Sequence, residues 1–245
     1  MTEHKFKDDK EYFADRSYLS NSSLKLLRQS PTKFKLWRDG KWNYPSANYF
    51  SIGSALHALF LEGRESAIVY NGTRRGKEWQ EFSKANPDKD ILNPKELDSV
   101  YEMYDKLKNS AKVTELMGDF IPEVPATGEL MGIPIKGKAD ALVEHWNGKY
   151  LVDLKTTAKS LSEFKRGATY MMYNQQAALY KHLFQVDDFY FVVVEKEFPY
   201  EVGIFKSSDA FLNSGLNELK KSLELYKNLF IDGEYNYYYT AEYEL

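Results

Sequence analysis

The segment Tyr150-Leu-Val-Asp-Leu-Lys-Thr-Thr157 places a carboxylate and an amine two positions apart inside an otherwise apolar run. Its leucines and valine indicate a short strand that the rest of the protein covers on both faces. Side chains alternate along a strand, so Asp153 and Lys155 would project from one face, roughly 6–7 Å apart. Burying two charges in this way is costly unless they pair with each other or bind a metal.

A second strand-like run, Lys136-Gly-Lys-Ala-Asp-Ala-Leu-Val143, carries another carboxylate, Asp140, shortly before this segment. Asn147-Gly148 lies between the two runs and strongly favours a tight hairpin turn. An antiparallel hairpin would bring Asp140 close to Asp153. Two carboxylates and Lys155 at one place predict a cation site with a proton-handling group beside it. A purely structural ion pair between Asp153 and Lys155 is the alternative.

The composition is typical of a globular protein without a membrane-spanning or secretory segment. The 245 residues are 43% hydrophobic and 28% charged, with a formal net charge of −3. No apolar run approaches the ~20 residues that span a bilayer, and the first residues are charged where a signal peptide needs an apolar core. Cysteine is absent, which excludes disulfides, zinc–thiolate sites and iron–sulfur clusters. The net charge gives no general attraction to nucleic acid, so a DNA-binding protein of this composition needs its basic residues in one groove.

The pattern of apolar residues predicts one domain over residues 1–245. We expect a loose N-terminus at 1–17, a mainly helical part at about 19–120, an α/β core at about 121–230 and a tyrosine-rich tail at 231–245. Helices are predicted at 20–28, 30–37, 51–62, 93–116, 168–184 and 208–229, and strands at 124–144, 149–157, 189–195 and 200–205. This order predicts an α/β (α+β) domain with a central mixed β-sheet flanked by helices.

Five short motifs follow one another along the chain. They are Leu19-Ser-Asn-Ser-Ser-Leu-Lys-Leu-Leu27 with Ser30-Pro31, Gly53-Ser-Ala-Leu-His57, Gly137-Lys-Ala-Asp140, Val152-Asp-Leu-Lys-Thr156 and Gln176-Ala-Ala-Leu-Tyr180. In this order they resemble the PD-(D/E)xK nuclease superfamily, specifically its RecB/RecE-like phage exonuclease branch. The resemblance implies a restriction-endonuclease-like core with a helical N-terminal portion. Because cysteine is absent, the iron–sulfur branch of the superfamily is excluded.

The resemblance also implies a Mg²⁺ site, with Mn²⁺ as a substitute. Its implied ligands are His57, Asp140, Asp153 and the backbone carbonyl of Leu154. An additional family glutamate precedes the core, and spacing to Asp140 favours Glu123 over Glu129 for this position. Oxygen ligands in a chain without cysteine independently favour Mg²⁺ or Mn²⁺. An ordinary core histidine is the alternative for His57, which stands among leucines.

The implied catalytic residues are Asp140, Asp153, Lys155, Gln176 and Tyr180. Lys155 would orient the attacking water or stabilise the transition state. Gln176 and Tyr180 are four residues apart and share a helix face, from which they would orient Lys155 or a phosphate. Capping of the core is the alternative for both.

Five basic residues are candidates for contacts with DNA phosphates: Arg74, Arg75, Lys77, Lys136 and Lys138. The first three lie in a loop that resembles the R-x-x-G-K-like loop of RecE-type members with imperfect spacing. Lys136 and Lys138 alternate with other residues on the strand of Asp140 and would point the same way. An ordinary polar loop and a solvated strand edge remain the alternatives, and any such contacts would be salt-dependent and independent of sequence.

These inferences predict a metal-dependent deoxyribonuclease. The RecE-like resemblance implies 5′→3′ resection of linear duplex DNA, a ring-shaped homo-oligomer and a single-strand annealing protein as partner. It also implies the cytoplasm of a bacterial or phage-infected cell. A structure-specific or restriction-type endonuclease is the alternative within enzymes, and a non-catalytic DNA-binding or assembly protein is the alternative outside them.

Overall fold

The structure is a computed structural model, and it describes residues 6, 8–43, 51–146, 148–233 and 235. The predicted tyrosine-rich tail therefore lies mostly outside the described residues, as does Asn147 of the predicted turn. None of the helices in the described ranges is both long enough and apolar enough to cross a lipid bilayer.

Ten helices and seven strands follow one another in the described ranges. The helices are α1 (Asp9–Ala14), α2 (Asn21–Gln29), α3 (Pro31–Arg38), α4 (Ser51–Glu62), α5 (Gly76–Ala85), α6 (Pro94–Lys108), α7 (Ala111–Met117), α8 (Leu161–Gly167), α9 (Tyr173–Phe184) and α10 (Asp209–Phe230). The strands are β1 (Ala67–Val69), β2 (Asp90–Leu92), β3 (Ile121–Leu130), β4 (Ile133–His145), β5 (Gly148–Thr157), β6 (Asp188–Glu195) and β7 (Val202–Lys206).

The central sheet has the strand order β3-β4-β5-β6-β7. Its pairs are antiparallel except for β5 and β6, which are parallel and therefore need the crossover that α8 and α9 provide. β4 and β5 pair down to His145 and Gly148, as the predicted hairpin requires. The predicted α/β domain with a mixed sheet flanked by helices is confirmed.

Each face of the sheet carries its own apolar core. One core packs α2, α3, α9 and α10 onto side chains such as Leu151, Phe189 and Val193. The other packs α4, α6 and α7 onto alternate side chains, including Val152, Leu154 and Val192. Since Asp153 and Lys155 share the parity of Leu151, they project toward α9.

β4 changes face halfway along its length. Ile133, Ile135 and Ala139 belong to the α9 core, whereas Ala141 and Val143 belong to the α4 core, although all have the same parity. A regular strand would keep them on one face, so β4 must twist or bend between Ala139 and Ala141. Asp140 lies at this bend.

Helix capping explains why the first predicted helices form where they do. The Ser20 and Ser30 side chains accept the backbone N–H groups of Ser23 and Lys33, which begins α2 and α3. The predicted helices α4 and α10 and the predicted strands β6 and β7 are likewise present.

Four predictions of secondary structure were wrong. Part of the N-terminus expected to be loose forms α1, which Asp8 caps. The helix expected at 93–116 is two helices, α6 and α7. The Ser110 side chain accepts the backbone N–H of Val113 and so caps the start of α7. The helix expected from Ala168 begins only at Tyr173.

The delayed start of α9 has a backbone cause. Met172 has φ +57°, a left-handed conformation that a continuous helix cannot contain. Residues 168–172, which were expected to begin this helix, instead form a turn after α8. The sequence pattern did not predict α8. The fourth error is α5, which begins inside the predicted exposed loop at 71–77.

Candidate active site

Asp140 lies where β4 separates from β5. The ladder between these strands ends at Ala141 and Val152, although continued register would pair Asp140 with Asp153. Beyond that point the backbone N–H of Leu154 donates to Asp140 Oδ2 at 2.9 Å instead of to β4. The side chain of Asp140 thus replaces a backbone acceptor, which fixes its carboxylate between the two strands.

His57 reaches the same place from α4. Its Nε2 is 2.7 Å from the carbonyl oxygen of Leu154, and its Nδ1 is 3.6 Å from Asp140 Oδ2. Gly53 lets the helix come this close, because a Cβ there would lie 3.1 Å from Thr156 Oγ1. This close approach gives a physical reason for a glycine one helical turn before the histidine.

Glu123 completes a group of three possible metal ligands. Ligand atoms of His57, Glu123 and Asp140 all lie within 4.8 Å of one another. The register of β3 on β4 places Glu123 opposite Asp140, and Glu123 has a left-handed φ of +55°. Glu129 pairs with Pro134 at the other end of β3 and is not in this group. Such strained backbone at an acidic residue is typical of functional sites.

The donor set fits a divalent cation. Adjacent ligands of an octahedral Mg²⁺ lie about 3 Å apart, given metal–oxygen bonds of about 2.1 Å. The 3.6 Å between His57 Nδ1 and Asp140 Oδ2 approaches this spacing, whereas the 2.7 Å contact of His57 Nε2 with the Leu154 carbonyl is a hydrogen bond. Carboxylate oxygens suit Mg²⁺ and Mn²⁺, whereas imidazole is more typical of transition-metal sites. The residues present can therefore hold such an ion.

Asp153 is buried, and both of its oxygens are engaged by the protein. Gln176 Nε2 donates to Oδ1 at 2.6 Å, and the Lys155 ammonium forms an ion pair with Oδ2. Asp153 does not belong to the group of three ligands around His57. Gln176 and Lys155 thus both contact Asp153. That Gln176 orients Lys155 remains a prediction.

The buried charges shift each other's protonation. Burial and the nearby Asp153 raise the pKa of Asp140 to about 6, although His57 and Lys155 act in the opposite direction. Burial lowers the pKa of Lys155, but the attraction of Asp153 and Asp140 outweighs burial and raises it to about 12. Lys155 is consequently protonated at neutral pH. A cation placed beside Asp140 would stabilise its ionised carboxylate.

Tyr180 lies against β4, the strand of Asp140. A Cβ on Gly137 would lie 2.8 Å from its ring, so the glycine makes room for the tyrosine. Burial raises the Tyr180 pKa well above its ordinary value, and a hydrogen bond with the backbone of Lys138 acts in the opposite direction. Its catalytic role remains a prediction.

The two strand lysines have partners within the protein. Lys136 is buried, and its ammonium donates to the backbone carbonyls of Tyr12 and Asp15 at the end of α1. Lys138 forms ion pairs with Asp9 and with Glu123. These contacts occupy the ammonium groups that were expected to face DNA.

The three basic residues of the loop differ in how far their side chains are already paired within the protein. Arg74 forms an ion pair with Glu96 and donates to the carbonyl of Ile91. Arg75 is exposed just before α5, and Lys77 is exposed with its ammonium 3.7 Å from Glu81. Arg75 and Lys77 are therefore more accessible to DNA than Arg74, and DNA binding by all of these residues remains a prediction.

Sequence reasoning missed a residue on α2 that lies close to this site. The ammonium of Lys25 is 5.1 Å from the ring centroid of Tyr173, and that of Lys155 is 5.6 Å from the same centroid. The sequence offered a weak signal, because Lys25 belongs to the first of the five motifs. Nothing local distinguishes it from a solvated helix lysine.

The fold is that of a PDDEXK-like domain. The family model described as "PDDEXK-like domain of unknown function (DUF3799)" matches residues 20–236. The chain belongs to this family. No protein of curated function matches the sequence.

Two solved structures resemble the chain to different degrees. A candidate exonuclease from Eubacterium rectale is 18% identical, with a TM-score of 0.66 over 90% of this chain and 85% of its own. At this identity the likeness establishes the shared fold. A phage-related exonuclease from Haemophilus somnus 129PT is 14% identical over 85% of this chain and 93% of its own, with a TM-score of 0.38.

Proposed function

We propose that this protein is a metal-dependent deoxyribonuclease that uses Mg²⁺. The observation that carries the proposal is the convergence of His57, Glu123 and Asp140 beside the ion pair of the buried Asp153 and the half-buried Lys155. Carboxylates on neighbouring strands repel each other, and a divalent cation between them removes the repulsion. Cleavage of a phosphodiester develops negative charge that such a cation and a fixed ammonium group would both stabilise.

The protein's own residues would hold the metal and the charge of the reacting phosphate. His57, Glu123 and Asp140 are the proposed ligands, with Asp153 and the Leu154 carbonyl as the further ligands that the family resemblance implies. When bound, the cation would lower the pKa of the attacking water and neutralise negative charge on the phosphate.

Lys155 would act through its charge. Its raised pKa keeps it protonated, which suits stabilisation of the pentavalent transition state or orientation of the water better than proton abstraction. Asp153 holds the ammonium in place, and Gln176 holds Asp153. These contacts would give Asp153 and Gln176 a positioning role.

We further propose 5′→3′ exonuclease activity on linear duplex DNA. The 3′ single strand left behind would be passed to a single-strand annealing protein, in the cytoplasm of a bacterial or phage-infected cell. A homo-oligomer, in the form of a ring, would keep the enzyme on its substrate. The support is the RecE-like order of the five motifs and the description of the structurally similar Eubacterium rectale protein as a candidate exonuclease.

The decisive experiment compares linear and closed circular duplex DNA in the presence of Mg²⁺. Loss of linear DNA alone supports an exonuclease, nicking of circles supports the endonuclease alternative, and binding without cleavage supports the non-catalytic alternative. Labels at the 5′ or the 3′ end then give the polarity. The matched variants are Asp153→Asn and Lys155→Met, both of which should abolish cleavage, and Lys206→Met, which removes an exposed lysine of β7 and should not.

A further inference from the structure

Lys25 lies half-buried beside the candidate active site and makes no ion pair with any described residue. Lys155 lies at a similar distance from the same tyrosine ring but is neutralised by Asp153. The two ammonium groups therefore differ in one respect: Lys155 has a carboxylate within the protein, and Lys25 has none among the described residues.

Placing a second ammonium here is unfavourable in the absence of a ligand. Burial lowers the pKa of Lys25 to about 8, and repulsion from Lys155 adds to this effect, whereas attraction to Asp153 opposes it. A buried charge with a structural role is normally paired. An anion bound at Lys25 would offset both the burial of its charge and the repulsion from Lys155.

A buried network of amides fixes Lys25 relative to the site. Gln175 Nε2 donates to Asn21 Oδ1 at 3.0 Å, and Ser222 Oγ donates to Gln175 Oε1 at 2.8 Å. Asn21 lies one helical turn before Lys25 on α2. The next residue of α9, Gln176, holds Asp153. Two consecutive amides thus tie the helix of Lys25 and the strand of Lys155 to the same helix.

We propose that Lys25 binds the phosphate group of the DNA next to the scissile one, so that Lys25 and Lys155 serve two neighbouring phosphates. The inference rests on the proposed nuclease function. The ligand chemistry is a phosphate monoester at a 5′ end or an internal phosphodiester, and both present the same anionic oxygens.

The test measures DNA binding separately from cleavage. Fluorescence anisotropy with a short duplex in EDTA, at about pH 7, gives the dissociation constant between about 50 and 200 mM NaCl. Lys25→Gln should weaken binding roughly tenfold and lower the slope of log affinity against log salt by about one. Lys25→Arg should restore most of both. Lys33→Gln, which removes an exposed lysine of α3, should match the parent.

Duplexes with 5′-phosphate or 5′-hydroxyl ends distinguish the two phosphates. If the parent prefers the phosphorylated end and Lys25→Gln does not, Lys25 binds the terminal phosphate. If Lys25→Gln is impaired equally on both, Lys25 binds an internal one. Either result supports the inference, which is overturned if Lys25→Gln binds with the parent's affinity and salt slope. If circular dichroism shows that Lys25→Gln does not fold, Lys25→Met takes its place in the binding test.

Failure of the nuclease proposal looks different. In that case the parent itself cuts no DNA with Mg²⁺ or Mn²⁺, whatever the state of Lys25. A parent that cuts, combined with a Lys25→Gln variant that binds and cuts equally well, refutes phosphate binding by Lys25 and leaves the nuclease proposal intact.

Discussion

The backbone N–H of Leu154 donates to the side chain of Asp140 at 2.9 Å, at the point where β4 and β5 separate. This single hydrogen bond joins the two segments that the sequence identified as the core of the site. It also holds the Asp140 carboxylate within reach of His57 and Glu123. The position is favourable for binding a cation and unfavourable for an isolated negative charge.

Asp140→Asn is therefore expected to stabilise the metal-free protein while removing its response to metal. The raised pKa of Asp140 means that the folded parent holds a proton up to about pH 6, which the unfolded chain releases near pH 4. Parent stability should fall relative to the variant as the pH rises through this interval. At pH 8 the variant should gain on the order of 1–3 kcal/mol.

Urea unfolding at about pH 4 and at about pH 8, with and without MgCl₂, measures this effect. The parent should be stabilised by Mg²⁺ at the higher pH, and the variant should not. A variant that is less stable than the parent in EDTA at pH 8, or that keeps the full response to Mg²⁺, would contradict a cation site at Asp140.

Gln176→Leu should reduce cleavage by at least tenfold because Asp153 loses the donor that fixes its Oδ1. The unfolding free energy should fall by about 1–3 kcal/mol, since a buried acceptor is left without a partner. Single-turnover cleavage and urea unfolding give the two quantities. Gln80→Leu, the same substitution at an exposed position of α5, is the control. An unchanged cleavage rate in Gln176→Leu would remove its positioning role.

Gly137→Ala should destabilise the protein by about 1–3 kcal/mol because the new methyl group would meet the ring of Tyr180. Thermal or urea unfolding measures the loss. Gly167→Ala is the matched control, since a Cβ there meets nothing within 4 Å. Equal stability of the two variants would show that β4 and α9 do not pack as described.

Lys138→Met should tighten Mn²⁺ binding severalfold. The substitution frees Glu123 from its ion pair and removes a positive charge that repels the cation. Isothermal titration calorimetry with Mn²⁺ measures the affinity, and Lys206→Met provides the same change of charge at the Asp188 ion pair on β7. Weaker Mn²⁺ binding in Lys138→Met would mean that Lys138 supports the site instead of competing for Glu123.

Much of the fold was predictable because local rules and tertiary structure agree there. Serine caps set the starts of α2 and α3, and a hairpin turn joins β4 to β5. Prediction failed where a single backbone conformation interrupts a periodic pattern. Met172, with its left-handed φ, delays the start of α9 although the surrounding residues suit a helix.

The site was predictable to the extent that it is linear in the chain. The spacing of Asp153 and Lys155 and the hairpin to Asp140 brought three of its groups together, and the motif order added His57 and Gln176. Their assigned roles in metal binding and catalysis remain predictions. The pairing of Lys136 and Lys138 with the N-terminal segment was not foreseen, because those partners lie more than a hundred residues away.

The sequence by itself determined the family, the sheet and the strand pair that carries Asp140, Asp153 and Lys155, because strand alternation and hairpin turns are local properties. Only the tertiary structure decided which charges neutralise one another and which do not. Lys25 illustrates the reason: the free energy of a charge depends on its burial and on neighbours from other elements. Packing of α2 against α9 gives Lys25 an environment that its own segment does not encode.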